Sequence, residues 1–196
     1  LKIDGKVVEA KPGQSLRDLI VQCGMDCPSL KERPLAAKIA GEVFTLNYTP
    51  IRAASENADS TTIRRAMAAS SGEIHLLHYS DGAGKKVYTR TECVLVFLAI
   101  RSLWPDAVAK ISCTLGNSVF ISIDKAENFQ VSKLKQKVQA YIDEDFRLVR
   151  RRISRQEAIS QFQTNGQQDK AELLTWCKTD YFDEYVYHGF SDYFFG

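Results

Sequence analysis

The sequence predicts an α+β protein built as two successive units. Three observations carry that prediction: short alternating strands around one capped helix in the first part, a Gly-containing break near Asp81, and a new pattern beyond it. The new pattern runs apolar helix, hairpin, amphipathic helix, then strands and short helices to the end. Residues 1–80 are read as the first domain, 81–89 as a linker and 90–196 as the second domain.

Leu1 to Lys11 reads as a hairpin, because Asp4-Gly5 offers the two positive-φ positions of a tight turn between Leu1-Lys2-Ile3 and Lys6-Val7-Val8-Glu9. Pro12-Gly13 ends it. Ser15 with Asp18 three residues on marks a helix start, and Leu16, Leu19 and Ile20 give helical spacing until Gly24. Alternation on both sides of Gly41 predicts a second hairpin over Leu35 to Leu46, and Glu73 to Tyr79 a further strand. Strand, strand, helix, strand, strand, strand is the order of a small β-grasp unit. Residues 47–72 interrupt it, rich in Ala, Ser, Thr and Asn with little apolar periodicity, and are read as an irregular insertion in which Thr62 to Ala69 forms at most a short helix.

Asp81 to Lys86 is read as a Gly-containing turn, after which a buried helix runs from about Thr91 to Trp104 and is broken by Pro105-Asp106. Ala109 to Leu115 and Ser118 to Ile123 flank Gly116-Asn117 in another hairpin. Val131, Leu134, Val138, Tyr141 and Ile142 repeat as an amphipathic helix requires. A strand over Phe146 to Arg152 leads into Ser154-Arg155-Gln156-Glu157, a capping-box signature that predicts a helix from Arg155 to about Thr164, ended by Asn165-Gly166. A helical turn around Lys170 to Trp176 and short strands in an aromatic tail complete the layout.

Composition narrows the function. The 196 residues are 44% hydrophobic and 26% charged, ordinary globular usage, with a net charge of +2 that offers no overall basic field to a nucleic acid. Cys23, Cys27, Cys93, Cys113 and Cys177 are odd in number and contain no C-x-x-C, so neither a disulfide framework nor a zinc ribbon is predicted, and a reducing, cytoplasmic setting fits. The longest apolar stretch, Cys93 to Ile100, is far too short to span a bilayer, so no membrane association is expected. Leu1 in place of Met, and nine of the twenty aromatic residues crowded between Trp176 and Phe195, predict a piece of a longer protein.

Asp81-Gly82-Ala83-Gly84-Lys85-Lys86 is not a P-loop, since Tyr79 stands where the first Gly belongs and Lys86 where Ser or Thr would bind magnesium. His75 and His78, at an odd spacing along a strand, point to opposite faces and do not share a metal. No catalytic, cofactor or metal residue is therefore assigned. The candidate anion or RNA site is basic: Arg147, Arg150, Arg151, Arg152 and Arg155, preceded by Lys133, Lys135 and Lys137 on the polar side of a helix. From Phe129 to Arg155 there are eight basic and three acidic residues, whereas Asp169 to Gly196 has two basic and six acidic, so internal neutralisation competes with phosphate binding. The tail aromatics interleave with acids and are read as core or interface rather than as a base-stacking platform.

Lys2-Ile3-Asp4-Gly5-Lys6, Pro12-Gly13-Gln14-Ser15-Leu16 and Leu35-Ala36-Ala37-Lys38-Ile39-Ala40-Gly41-Glu42-Val43 resemble a TGS domain, the ubiquitin-like β-grasp module at the start of threonyl-tRNA synthetases. Leu103-Trp104-Pro105-Asp106-Ala107, Ser154-Arg155-Gln156-Glu157-Ala158-Ile159 and Gly166-Gln167-Gln168-Asp169-Lys170-Ala171-Glu172-Leu173-Leu174 resemble the two-layer α/β editing domain that follows it. That resemblance would place an H-x-x-x-H pair at Arg90 and Val94 and a cysteine at Phe194, so the editing ligands are expected to be missing. The same departure resembles a bacterial uridine (nucleoside) kinase family, which fuses both modules to a C-terminal P-loop domain. The kinase resemblance implies a noncatalytic accessory region, regulatory or ligand-binding, whose partners are its own kinase domain and a nucleotide or RNA. ATP and magnesium would then belong to the missing domain, and no cofactor to this chain. The alternative is a threonyl-tRNA synthetase-type editing or tRNA-binding module.

Overall fold

The computed structural model describes residues 1–51, 73–116, 118–145, 148–164, 166–187 and 190–192. The chain divides into two compact units, Leu1–Thr91 and Glu92–Gly196.

In the first unit, β1 (Lys2–Ile3) and β2 (Lys6–Val7) pair antiparallel around Asp4 and Gly5, both at positive φ. Helix α1 (Leu16–Gln22) starts at Ser15, whose hydroxyl accepts the Asp18 N–H while the Asp18 carboxylate accepts the Ser15 N–H at 2.8 Å. This reciprocal pair satisfies donors that every helix start leaves open. β3 (Ala36–Ile39) and β4 (Glu42–Phe44) form the second hairpin, turned by Ala40 and Gly41 at positive φ. β5 (Glu73–Leu77) lies parallel to β1 and antiparallel to β3, giving a five-stranded mixed sheet in the order β2-β1-β5-β3-β4. Ile3, Ile39 and Ile74 from the sheet meet Leu16, Leu19 and Ile20 from α1 in one apolar core.

One expectation for this unit needs correction, that for the segment after Asp81. Residues 47–51 form no helix or strand, yet they are tied to the start of α1: the Tyr48 carbonyl accepts the Leu16 N–H at 2.8 Å and the Ile51 carbonyl accepts the Gly13 N–H at 2.9 Å, and Pro50 is fully buried. This stretch supplies acceptors to the open amides around the start of α1. The remainder of the predicted insertion, with Thr62 to Ala69, lies outside the described residues. The predicted turn and linker after Asp81 are helical instead: α2 runs Gly82–Leu103 and carries the chain from the first unit into the second. The turn lies earlier, at His78 to Asp81, where the Asp81 carboxylate accepts the His78 N–H at 2.6 Å and the Asp81 carbonyl accepts the Lys85 N–H at 2.8 Å. Gly84 serves packing, because a Cβ there would collide with the His78 carbonyl.

In the second unit, β6 (Val108–Leu115) and β7 (Ser118–Asp124) form a separate two-stranded ribbon. Helix α3 (Val131–Asp143) precedes β8 (Val149–Ser154), and α4 (Arg155–Thr164) and α5 (Gln168–Trp176) follow it. β9 (Tyr181–Tyr187) pairs antiparallel with β8 and with β10 (Phe190–Asp192). The register puts Ile153 beside Phe182 on one face of this small sheet, where Ala158 and Phe162 of α4 and Ala171 and Leu174 of α5 cover it. Tyr187 and Phe190 fall on the other face, packed with Val94, Leu98 and Ala99 of α2 and with Tyr141 of α3. Helices therefore lie on both faces, not in the two layers expected, because Phe182 on one side and Tyr187 on the other each need cover that a single helical layer would not give.

Candidate nucleic-acid interface

The basic cluster falls on β8 and the first turn of α4, and strand alternation divides it. Arg151 shares a face with Ile153, two residues on, and so leans toward the side covered by α4 and α5. Directly across the ladder stands Glu184, 2% exposed, and Arg151 Nε donates to its Oε1 at 2.6 Å. Gln161 of α4 donates to the second carboxylate oxygen at 3.1 Å and also to the Ser191 hydroxyl. A buried carboxylate needs this set, since an unpaired charge out of water costs several kcal/mol. Arg151 also lies 3.8 Å from Glu157. Its charge is spent on the fold.

Arg155 is positioned by its own backbone and side chain together. Its N–H donates to the Asp180 carbonyl at 2.8 Å and Nη1 to the Cys177 carbonyl at 2.6 Å, which fastens the start of α4 to the segment after α5. The Ser154 hydroxyl accepts the Glu157 N–H at 3.2 Å, as the capping signature predicts. Arg152 is exposed and pairs in register with Asp183, while Arg150 occupies the strand position opposite Tyr185. Arg147 lies outside the described residues.

The helical part of the basic patch is on α3. Lys133 and Lys135 are exposed, Leu134, Val138 and Tyr141 turn inward, and the Lys137 ammonium lies 4.7 Å from the Tyr141 ring centroid. The Tyr187 hydroxyl donates to Glu144 at 2.8 Å just beyond α3, and burial, with that carboxylate beside it, pushes the phenol up to about 12.

The aromatic tail separates into two kinds. Phe182 and Tyr187 are core, as expected, but Trp176 is 82% exposed and Tyr181 63% exposed, one at each end of the segment that links α5 to β9. Between the start of α4 and that segment is an open cleft of about 590 Å³ lined by Ser154, Arg155, Gln156, Ser160, Thr175 and Asp180, among others. Sequence reasoning missed it.

The positions where an editing site would hold histidines are plain. Arg90 and Val94 sit one turn apart on α2, and Val94 is buried among apolar neighbours. Among the described residues no group of three or more His, Cys, Asp or Glu side chains could hold a metal ion. Among them, too, no helix is long and apolar enough to cross a membrane.

Fold and site together describe a mixed α/β protein with basic residues on β8, α3 and the start of α4 and an open polar cleft. The chain is similar to threonine–tRNA ligases: it is 24% identical to that of Clostridium tetani and 27% identical to that of Acetivibrio thermocellus over 174 residues, 87% of this chain and 24% of each relative. The ligase of Desulforamulus reducens is 25% identical over 175 residues, 88% of this chain and 24% of the relative. The chain thus spans about a quarter of the length of the curated relatives it matches. No protein-family model matches it. These relatives are ligases, and they give no support to the nucleoside-kinase expectation.

Proposed function

We propose that the chain is a tRNA-binding module of the threonyl-tRNA synthetase type, a TGS unit followed by an editing-like unit that holds RNA without hydrolysing its ester. The observation that carries the reading is the similarity to threonine–tRNA ligases, which runs over 174 residues and so draws on both units. The β2-β1-β5-β3-β4 order, with its parallel β1–β5 pair and α1 packed against it, fits a β-grasp TGS domain. Loss of hydrolysis is supported by Val94, which offers no metal ligand or proton carrier where the resemblance puts a histidine. Of the basic candidates, Arg147, Arg150 and Arg152 with Lys133 and Lys135 are assigned to phosphates, while Arg151 is committed to Glu184. A module of this kind works in the cytoplasm and needs no cofactor.

Filter binding of tRNA, with deacylation of seryl-tRNA followed in parallel, tests the reading. Retention of tRNA with no ester loss above background is expected, and the Arg150→Ala/Arg152→Ala variant should weaken binding and lower the salt slope by about one to two. Seryl-tRNA turnover would contradict the noncatalytic part, and no retention at low salt the whole.

A further inference from the structure

The β6–β7 ribbon holds apolar side chains in water. Among the described residues no third strand joins it. A two-stranded ribbon is marginal by itself in water and is made stable by a further strand or a covering layer. The register puts Ala109, Ile111 and Thr114 of β6 on one face with Val119, Ile121 and Ile123 of β7. None of these six is buried, and on the opposite face Phe120 is 50% exposed and Leu115 71%.

The two edges of the ribbon differ. β6 is interrupted by a bulge between Ile111 and Cys113 and carries Lys110, two devices that keep a strand edge from pairing further. β7 is regular throughout, holds no Lys, Arg or Pro, and has its one charge at the last residue, Asp124. Such an edge is a template for another strand. It is also self-complementary. Two copies of β7 laid antiparallel about a two-fold axis at Ile121 set Ile121 opposite the partner's Ile121, Val119 opposite the partner's Ile123 and Ser118 opposite the partner's Asp124. No like charges meet in that register, whereas parallel pairing in register would set Asp124 against Asp124. The Val119, Ile121 and Ile123 faces of both copies then lie on the same side of the sheet.

We infer that β7 pairs antiparallel with β7 of a second copy of this chain, about a two-fold axis at Ile121, so that two ribbons merge into one four-stranded sheet. The partner strand supplies what the ribbon lacks: more than two strands, with one continuous apolar face. The inference concerns assembly and is independent of the tRNA-binding reading.

Sedimentation equilibrium of the chain over a concentration series reads the balance of monomer and dimer, and the mean mass should climb toward twice that of the chain. Ile121→Lys sets two ammonium groups face to face at the axis and should raise the dimer Kd at least about tenfold. Oxidative crosslinking tests the register separately. Ile121→Cys should yield a covalent dimer well above the background of the parent with its own cysteines, and Val119→Cys, whose opposite residue is Ile123, should not. If Ile121→Lys fails to fold, the two cysteine variants decide. A monomer at every concentration up to about 1 mM would overturn the inference. So would a dimer that folded Ile121→Lys leaves intact, or equal crosslinking of the two cysteine variants.

Discussion

Arg151 and Glu184 face each other across β8 and β9 with Nε and Oε1 2.6 Å apart, and Glu184 is almost wholly buried. The pair ties up the arginine that shares a sheet face with Ile153 and Phe182. Arg151→Ala should destabilise the second unit by about 2–3 kcal/mol, because the carboxylate is left with Gln161 alone. Replacing both partners, Arg151→Met with Glu184→Leu, should recover most of that loss. Urea midpoints of the three proteins check it.

Tyr187 should ionise well above the ordinary tyrosine range. Burial first, and then the carboxylate of Glu144, raise it to about 12 from an ordinary 10. A group raised in the folded state contributes stability that is fully present below its unfolded value and is lost as pH climbs through its folded one. Stability should accordingly fall between about pH 10 and 12. Tyr187→Phe should remove the highest step from an ultraviolet titration and flatten that fall.

The capping box of α1 should give the first unit an acid-sensitive component. The Ser15 hydroxyl, then the Ser15 N–H, hold the Asp18 carboxyl below its ordinary value. The stability this contributes is present above the unfolded value, about 4, and is lost as pH falls through the lower folded value. Ser15→Ala should cost about 1 kcal/mol at neutral pH and less in acid. Thermal melts of both proteins at pH 7 and pH 3 test the difference.

Gly82 and Gly84 should respond oppositely to alanine. A Cβ on Gly82 meets open space at an ordinary φ, and the substitution should stabilise α2 by about 0.4–1 kcal/mol. A Cβ on Gly84 meets the His78 carbonyl, and the strain should cost about 1–3 kcal/mol. Thermal midpoints of the two variants should move in opposite directions.

Much of the fold is legible in local signals. Asp4-Gly5 fixes its hairpin because both residues tolerate positive φ, and Ser154 with Glu157 marks the start of α4 because a helix start needs an acceptor. The beginning of α2 is not legible. Gly82 and Gly84 read as a turn, yet Gly84 is required by the approach of the His78 carbonyl, a contact that local propensity does not contain. The site divides the same way. The basic run is plain in the sequence, but Arg151 separates from Arg152 only through strand alternation and a partner 33 residues away. One signal was present: Phe182, Glu184 and Val186 alternate, which places an acid in an otherwise apolar row. The exposure of Trp176 depends on where α5 ends, and no periodicity states that.

Equilibrium binding of tRNA to the purified chain across a salt series bears most closely on the proposed tRNA-binding role. Association should weaken steadily with salt, with a log–log slope that several phosphate contacts would give, on the order of −2 to −4. Absence of association at low salt, or binding indifferent to salt, would contradict it.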